Sequence, residues 1–344
     1  MKHVLVVRLD SDGDVLLSGP AVRAIAASAG RVTYLAGPGG RHAARLLPGV
    51  DEVLVHRAAW IDPERPPVDR RRVLGLVDDI ASRGVDEAFV LTSFHQSALP
   101  AALLLRLAGV RTIAATSVDF PGSLLDVRHA ITDDAHEVER SLSLVETLGY
   151  RLPAGVDGRL AVERPLRGRI SLPAPYVVVH PGASVPARAW GAEPNAALVD
   201  ELVSRGRRVV ITGAAGETGL TARVAGDGRP EVLDLGGRTT LAELAEVLAG
   251  ADAVVVGNTG PAHLAAAVGT PIVSLFAPVV PAVRWRPWGV PHVLLGDQDA
   301  PCADTRARVC PVPGHPCLCS VSPAEAADAV ERLVPSVERE VARA

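Results

Sequence analysis

Three carboxylates crowd into Arg8-Leu9-Asp10-Ser11-Asp12-Gly13-Asp14, directly after a short apolar run. Carboxylates this close raise one another's proton affinity, and one of them can then take the proton of an attacking hydroxyl. Asp14 is the candidate base, because Gly13 beside it permits a sharp turn. The competing reading is that Asp12 or Asp14 caps the next helix. Three later loops carry the equipment for an anion. Pro181-Gly182-Ala183-Ser184 is followed closely by Arg188-Ala189-Trp190. Backbone N–H groups, a hydroxyl and a guanidinium suit phosphate oxygens, whereas Trp190 reads as a packing residue. Gly213-Ala214-Ala215-Gly216-Glu217 ends on a glutamate. Such a carboxylate can accept ribose hydroxyls, or merely favour a helix start through the dipole. Gly257-Asn258-Thr259-Gly260-Pro261-Ala262-His263 passes from an apolar run into a helical pattern, with proline near the first helical position. Its backbone N–H groups and His263 can hold a phosphate.

These loops need strands to end before them and helices to begin after them. In the first half, apolar runs at residues 4–7, 32–35, 52–55, 87–91 and 111–114 read as strands. Helical patterns at 19–27, 41–47, 71–83, 98–107 and 135–148 alternate with them. Such alternation predicts a doubly wound parallel sheet, whose ligands sit beyond the carboxyl ends of the strands. Residues 151–175 are rich in proline and glycine and read as a linker. The same grammar restarts with strands at 176–180, 208–212, 231–235, 253–256 and 271–276 and helices at 193–205, 218–225 and 241–249. The boundaries are therefore 1–160 for an N-terminal domain, 170–322 for a C-terminal domain, and 323–344 for a charged amphipathic helix returning toward the first. Two Rossmann-like domains facing a cleft are expected.

A length of 344 residues suits two domains, each with its own core. The net charge of −4 gives no support for a nucleic-acid surface. Lysine occurs once, as Lys2, so arginine supplies nearly all positive charge. No signal peptide is evident, and the apolar stretch 98–110 is too short and is interrupted by Arg106. A cytoplasmic protein, with peripheral contact to the inner membrane face as a further option, is the expectation. No GxGxxG fingerprint stands between a strand and a helix, which argues against a nicotinamide dehydrogenase. Cys302, Cys310, Cys317 and Cys319, with His315 among them, leave metal binding, disulfides and free thiols open. The metal reading is not favoured, because the spacing lacks the CxxC knuckle of structural zinc sites.

The order and spacing of these loops, from the first strand to the cysteine-rich segment, resemble glycosyltransferase family 9, the ADP-heptose heptosyltransferases of bacterial surface-polysaccharide synthesis. The resemblance implies a GT-B fold of two facing Rossmann-like domains, donor held mainly by the second and acceptor by the first. It implies Asp14 as catalytic base, with Arg8, Asp12 and Gly13 on the acceptor side. Ser184, Arg188, Glu217, Asn258, Thr259, Gly260 and His263 become the donor site: Arg188 stands where the family has lysine, Glu217 takes the ribose, and Asn258-Thr259-Gly260-Pro261-Ala262-His263 takes the pyrophosphate. The family's aspartate is replaced by Asn258. The implied reaction is inverting transfer of a sugar, heptose from ADP-heptose, to a hydroxyl of a glycan, lipid-linked or metabolite acceptor, without a metal. Loops 37–41, 60–71 and 92–96 would shape the acceptor pocket. A sugar-nucleotide epimerase of like architecture and a non-catalytic nucleotide-binding protein are the alternatives.

Overall fold

The computed structural model describes residues 1–131, 134–164, 166, 170 and 172–334. It divides into two compact units, Met1–Glu163 and Arg164–Ala344. In the first, apolar β-branched runs that cannot face water form β1 (His3–Arg8), β2 (Arg31–Ala36), β3 (Glu52–Val55), β4 (Glu87–Val90), β5 (Thr112–Thr116) and β6 (Val127–His129). All pair in parallel in the order β3-β2-β1-β4-β5-β6. Helices α1 (Asp12–Leu17), α2 (Gly19–Ala26), α3 (Arg41–Ala44), α4 (Arg70–Ser82), α5 (Leu99–Leu107) and α6 (Glu137–Glu146) make the connections. The sequence reading began its first helix at residue 19 and did not assign α1, which is only six residues long. The edge strand β6 went unseen: it is three residues long and none of them is fully buried.

Val4, Leu5, Val6 and Val7 of the central β1 are sealed from solvent on both faces. Each contributes about 2 kcal/mol of transfer free energy. Parallel strands buried on both sides leave only the loops at their carboxyl edge for polar chemistry. The reversal of strand order between β1 and β4 puts the β1–α1 loop at that edge.

The second unit repeats the plan with β7 (Val177–His180), β8 (Val209–Ile211), β9 (Val232–Asp234), β10 (Ala253–Gly257), β11 (Ile272–Leu275) and β12 (His292–Leu295), ordered β12-β11-β10-β7-β8-β9 and all parallel. Its helices are α7 (Ala192–Ser204), α8 (Thr218–Ala225), α9 (Leu241–Ala249), α10 (Gly260–Val268), α11 (Ala282–Trp285), α12 (Pro316–Cys319) and α13 (Pro323–Leu333). The strand order turns between β7 and β10, so the loops after these two strands share the switch point. Helix α13 buries Ala326, Ala327, Ala329 and Val330 against α7 and the sheet of its own unit. Residues 335–344 of the expected terminal helix lie outside the described residues.

Candidate functional site

Strand β1 delivers Arg8 to the carboxyl edge of the first sheet, where its side chain is 2% exposed. A guanidinium that cannot reach water must be met by carboxylates. Its Nε lies 2.8 Å from Asp10, an Nη 3.1 Å from Asp14, and the other Nη 3.4 Å from Glu137 of α6. It also donates to the Ser93 hydroxyl at 3.0 Å. Burial works against the charged form of Arg8, and Asp10, Asp14 and Glu137 more than offset it, so the cation is held firmly. Burial likewise pushes the carboxyls of Asp10 and Glu137 upward, with Arg8 the main opposing influence. Gln96 donates to Asp10, and Arg140 stands 3.3 Å from Glu137. The second oxygen of Asp14 accepts from Ser11 Oγ at 2.8 Å, which orients the carboxylate in the first turn of α1. Beside this cluster lies a hollow lined by Arg8, Thr92, Thr116, Glu137, Arg140 and Ser141.

Asp12 faces another way. It accepts the Ala43 N–H at 3.0 Å, so the capping role belongs to Asp12 and serves α3 rather than α1. Gly37 lets the β2–α3 loop lie on the same turn, since a Cβ there would stand 2.2 Å from the Leu9 carbonyl oxygen. Gly13 is buried in the first turn of α1. The structure thus gathers Asp14, Arg8 and Gly13 as expected and adds Glu137 and Arg140. Nothing in the local sequence marks Glu137, because its partner is 129 positions away.

In the second unit the three expected loops converge. The 181–188 loop follows β7, the 213–217 loop follows β8, and α10 follows β10. A Cβ on Gly182 would meet the Glu217 carboxylate at 2.3 Å, so that carboxylate lies directly over the first loop. Glu217 Oε2 accepts the Ala214 N–H at 2.7 Å, which fixes the side chain across its own loop. Arg188 donates to the Asn258 carbonyl at 3.3 Å, and a Cβ on Gly257 would stand 3.0 Å from the Arg188 carbonyl. Ser184 is exposed, Thr259 is the N-cap of α10, and His263 is buried in the first turn of that helix. Trp190 is buried, its indole N–H donating to Leu318, which is the packing role its sequence context indicated.

Two further residues define this edge. Asn258 is 5% exposed and forms a reciprocal pair with the backbone of Ala277, its amide donating to the carbonyl and its oxygen accepting the N–H, both at 3.3 Å. A carboxylate could make only the second of these bonds. The asparagine therefore ties the loop after β10 to the loop after β11. His180, at the end of β7, shares a 2.9 Å hydrogen bond with Thr212. Burial pushes its pKa down to about 4, against a weaker opposing pull from Glu217.

The four cysteines are all free: Cys302 and Cys317 are buried in the core, Cys310 is half-buried and Cys319 exposed. Burial, with the Cys302 thiol next in effect, pushes the Cys317 thiol up to about 12. Among the described residues no group of three or more His, Cys, Asp or Glu side chains is arranged to hold a metal ion. No helix among them is long and apolar enough to cross a membrane.

The family model for glycosyltransferase family 9 (heptosyltransferase) matches residues 87–315. Lipopolysaccharide heptosyltransferase 3 of Escherichia coli is 32% identical over 167 residues, 47% of either chain. Lipopolysaccharide heptosyltransferase 1 of Pseudomonas aeruginosa is 35% identical over 178 residues, covering 51% of this chain and 48% of that one. The matched part thus spans about half the length of these curated relatives. Among solved structures, E. coli ADP-heptose lps heptosyltransferase II superposes with a TM-score of 0.75 at 22% identity, over 99% of this chain and 100% of its own. E. coli heptosyltransferase WaaC with ADP-2-deoxy-2-fluoro heptose gives 0.73 at 23% identity, over 96% and 99%. The likeness establishes the GT-B fold. With two thirds of its length inside the family model, the chain belongs to glycosyltransferase family 9.

Proposed function

We propose that the chain transfers a sugar from a nucleoside diphosphate sugar to an acceptor hydroxyl with inversion, using charged side chains and backbone dipoles on the diphosphate. The observation that carries this reading is the convergence of three loops at the carboxyl edge of the second sheet, with Glu217 laid over Gly182 and Arg188 joined to Asn258. Glu217 receives the ribose hydroxyls. Arg188, Ser184, His263 and the N–H groups at Thr259 and Gly260 receive the diphosphate and stabilise it as it leaves. In the first unit Asp14, paired with Arg8, accepts the acceptor's proton. Arg8 fixes the loop from inside and Asp12 ties it to α3, while Gly13 turns the backbone so that Asp14 meets the acceptor.

Heptose carried on ADP is the donor that the names of the relatives support. Transfer is favoured over epimerisation by the family match. Calorimetric titration with ADP-, UDP-, GDP- and dTDP-sugars tests the donor assignment. ADP-heptose binding in the micromolar range is expected, and its failure beside a bound UDP- or dTDP-sugar would overturn it. Incubation with the bound donor alone should leave it intact; conversion to an isomer without acceptor would select the epimerase instead.

A further inference from the structure

Between β12 and α12 the chain runs through residues 296–315 without a helix or strand. Connections of this kind beyond about 12–15 residues are uncommon in compact folds and tend to carry function. Cys302 and Cys317 anchor it near both ends, sealed in the core of the second unit with Ala187, Trp190 and Val279. The backbone between these anchors is strained. Asp304, Arg306 and His315 have φ of 59°, 56° and 49°, and among the described residues Arg65 is the only other non-glycine residue with positive φ. Such residues persist where surrounding contacts over-determine them.

Each of the three strained residues donates to a loop at the carboxyl edge of the second sheet. His315 Nε2 donates to the Ala187 carbonyl at 3.1 Å; a carbonyl only accepts, so Nε2 carries the proton. The N–H groups of Asp304 and Arg306 donate to the carbonyls of Pro278 and Val279, at 2.9 and 2.8 Å. In return the Arg308 carbonyl accepts the Ala187 N–H at 3.0 Å. Ala187 is 1% exposed, so its two backbone groups cannot turn to water instead. Arg188 follows Ala187, and Pro278 follows Ala277, the partner of Asn258. The segment therefore closes a ring: Arg188 to Asn258, Asn258 to Ala277, and from the residues after Ala277 back to the residue before Arg188.

We infer that segment 296–315 is a strap that positions Arg188 for the diphosphate, with His315 as the positioning residue. This role presupposes that Arg188 grips the diphosphate. The peptide unit joining Ala187 to Arg188 is planar, so holding its two polar groups sets the direction in which Arg188 leaves the chain. Its N–H donates to the Val185 carbonyl at 2.8 Å, a bond within the loop itself. Its carbonyl is held by His315, from 128 positions along the chain.

The test is calorimetric titration of the full chain with ADP and with adenosine, which lacks the diphosphate. Asparagine tolerates the left-handed backbone at position 315 but is too short to reach Ala187, whereas glutamine keeps a long amide donor. His315→Asn should weaken ADP binding about fivefold and leave adenosine binding unchanged. His315→Gln should restore ADP binding to within about twofold of wild type. In an Arg188→Gln chain, His315→Asn should have no further effect, because it acts through Arg188. Four results would each overturn the role of His315: normal ADP binding by His315→Asn, equal weakening of ADP and adenosine, no recovery in His315→Gln, or full additivity with Arg188→Gln. Wild type that binds no ADP, or Arg188→Gln alone that binds it normally, would instead refute the donor reading and this role with it.

Discussion

Replacing Arg8 by glutamine removes a cation that touches Asp10, Asp14 and Glu137 together. Two unit charges about 4 Å apart attract by about 4 kcal/mol at an effective dielectric near 20. The Arg8 cation is shared among three carboxylates, and Asp14 keeps 21% side-chain exposure, so roughly half of that, about 2 kcal/mol, reaches Asp14. At about 1.4 kcal/mol per pH unit, the acid limb of the rate profile should move up by about 1.5 pH units. The sign follows from charge: without the cation, ionised Asp14 costs more, so the base stays protonated to a higher pH. The assay is release of ADP from ADP-heptose in the presence of an acceptor glycan, followed from pH 5 to 10. Arg8→Lys keeps the charge and loses the fork, so its limb should stay in place while its plateau falls. Glutamine also leaves three carboxylates poorly matched, costing about 3 kcal/mol of stability, so melting curves must show both variants folded at the assay temperature. A glutamine variant whose plateau drops while its limb stays put would refute the link between Arg8 and the base.

The remaining predictions concern the second unit. Gly182→Ala should push the Glu217 carboxylate off its loop and weaken ADP binding at least tenfold in calorimetry, whereas Gly219→Ala, with open space around it, should bind ADP normally. Asn258→Asp should lower stability by about 2 kcal/mol, because the Ala277 carbonyl loses its donor and a charge is buried; an unchanged denaturation midpoint would contradict the paired-amide reading. His180 stays neutral in the folded chain down to about pH 4, while the unfolded chain protonates it near 6.5. Its contribution is therefore fully present above pH 6.5 and is lost as pH falls toward 4, by about 3 kcal/mol in total. His180→Gln should flatten that part of the stability profile, and an identical slope in the variant would remove His180 as the cause.

The strands that place the site were legible because parallel strands buried on both faces leave unbroken apolar runs, as at Val4-Leu5-Val6-Val7 and Val254-Val255-Val256. The loop residues were legible because small residues and charges follow such runs directly. What stayed hidden has a common physical cause. Glu137 matters through a partner on β1, and no local spacing records a contact between distant segments. Asn258 has the backbone of Ala277 as its partner, and a backbone group carries no residue identity. Asp12 looked like a cap for its own helix, yet the free N–H it meets belongs to α3. Edge strand β12 was missed because three of its four residues are only half-buried, which weakens the apolar signal.

The Arg8 cluster also bears on the order in which the first unit folds. Arg8 sits on the first strand, Ser93 follows the fourth, and Glu137 opens the last helix. Closing a loop of this length is slow, and its entropy is lost before the contact repays it. Until α6 docks, Arg8 would be entering the sheet without one of its three counter-charges, a state that burial disfavours. Sealing of the carboxyl edge is thereby coupled to arrival of the final helix. A chain truncated before Glu137 should keep this edge hydrated, with fast amide exchange at the end of β1 even where the middle of the strand is protected.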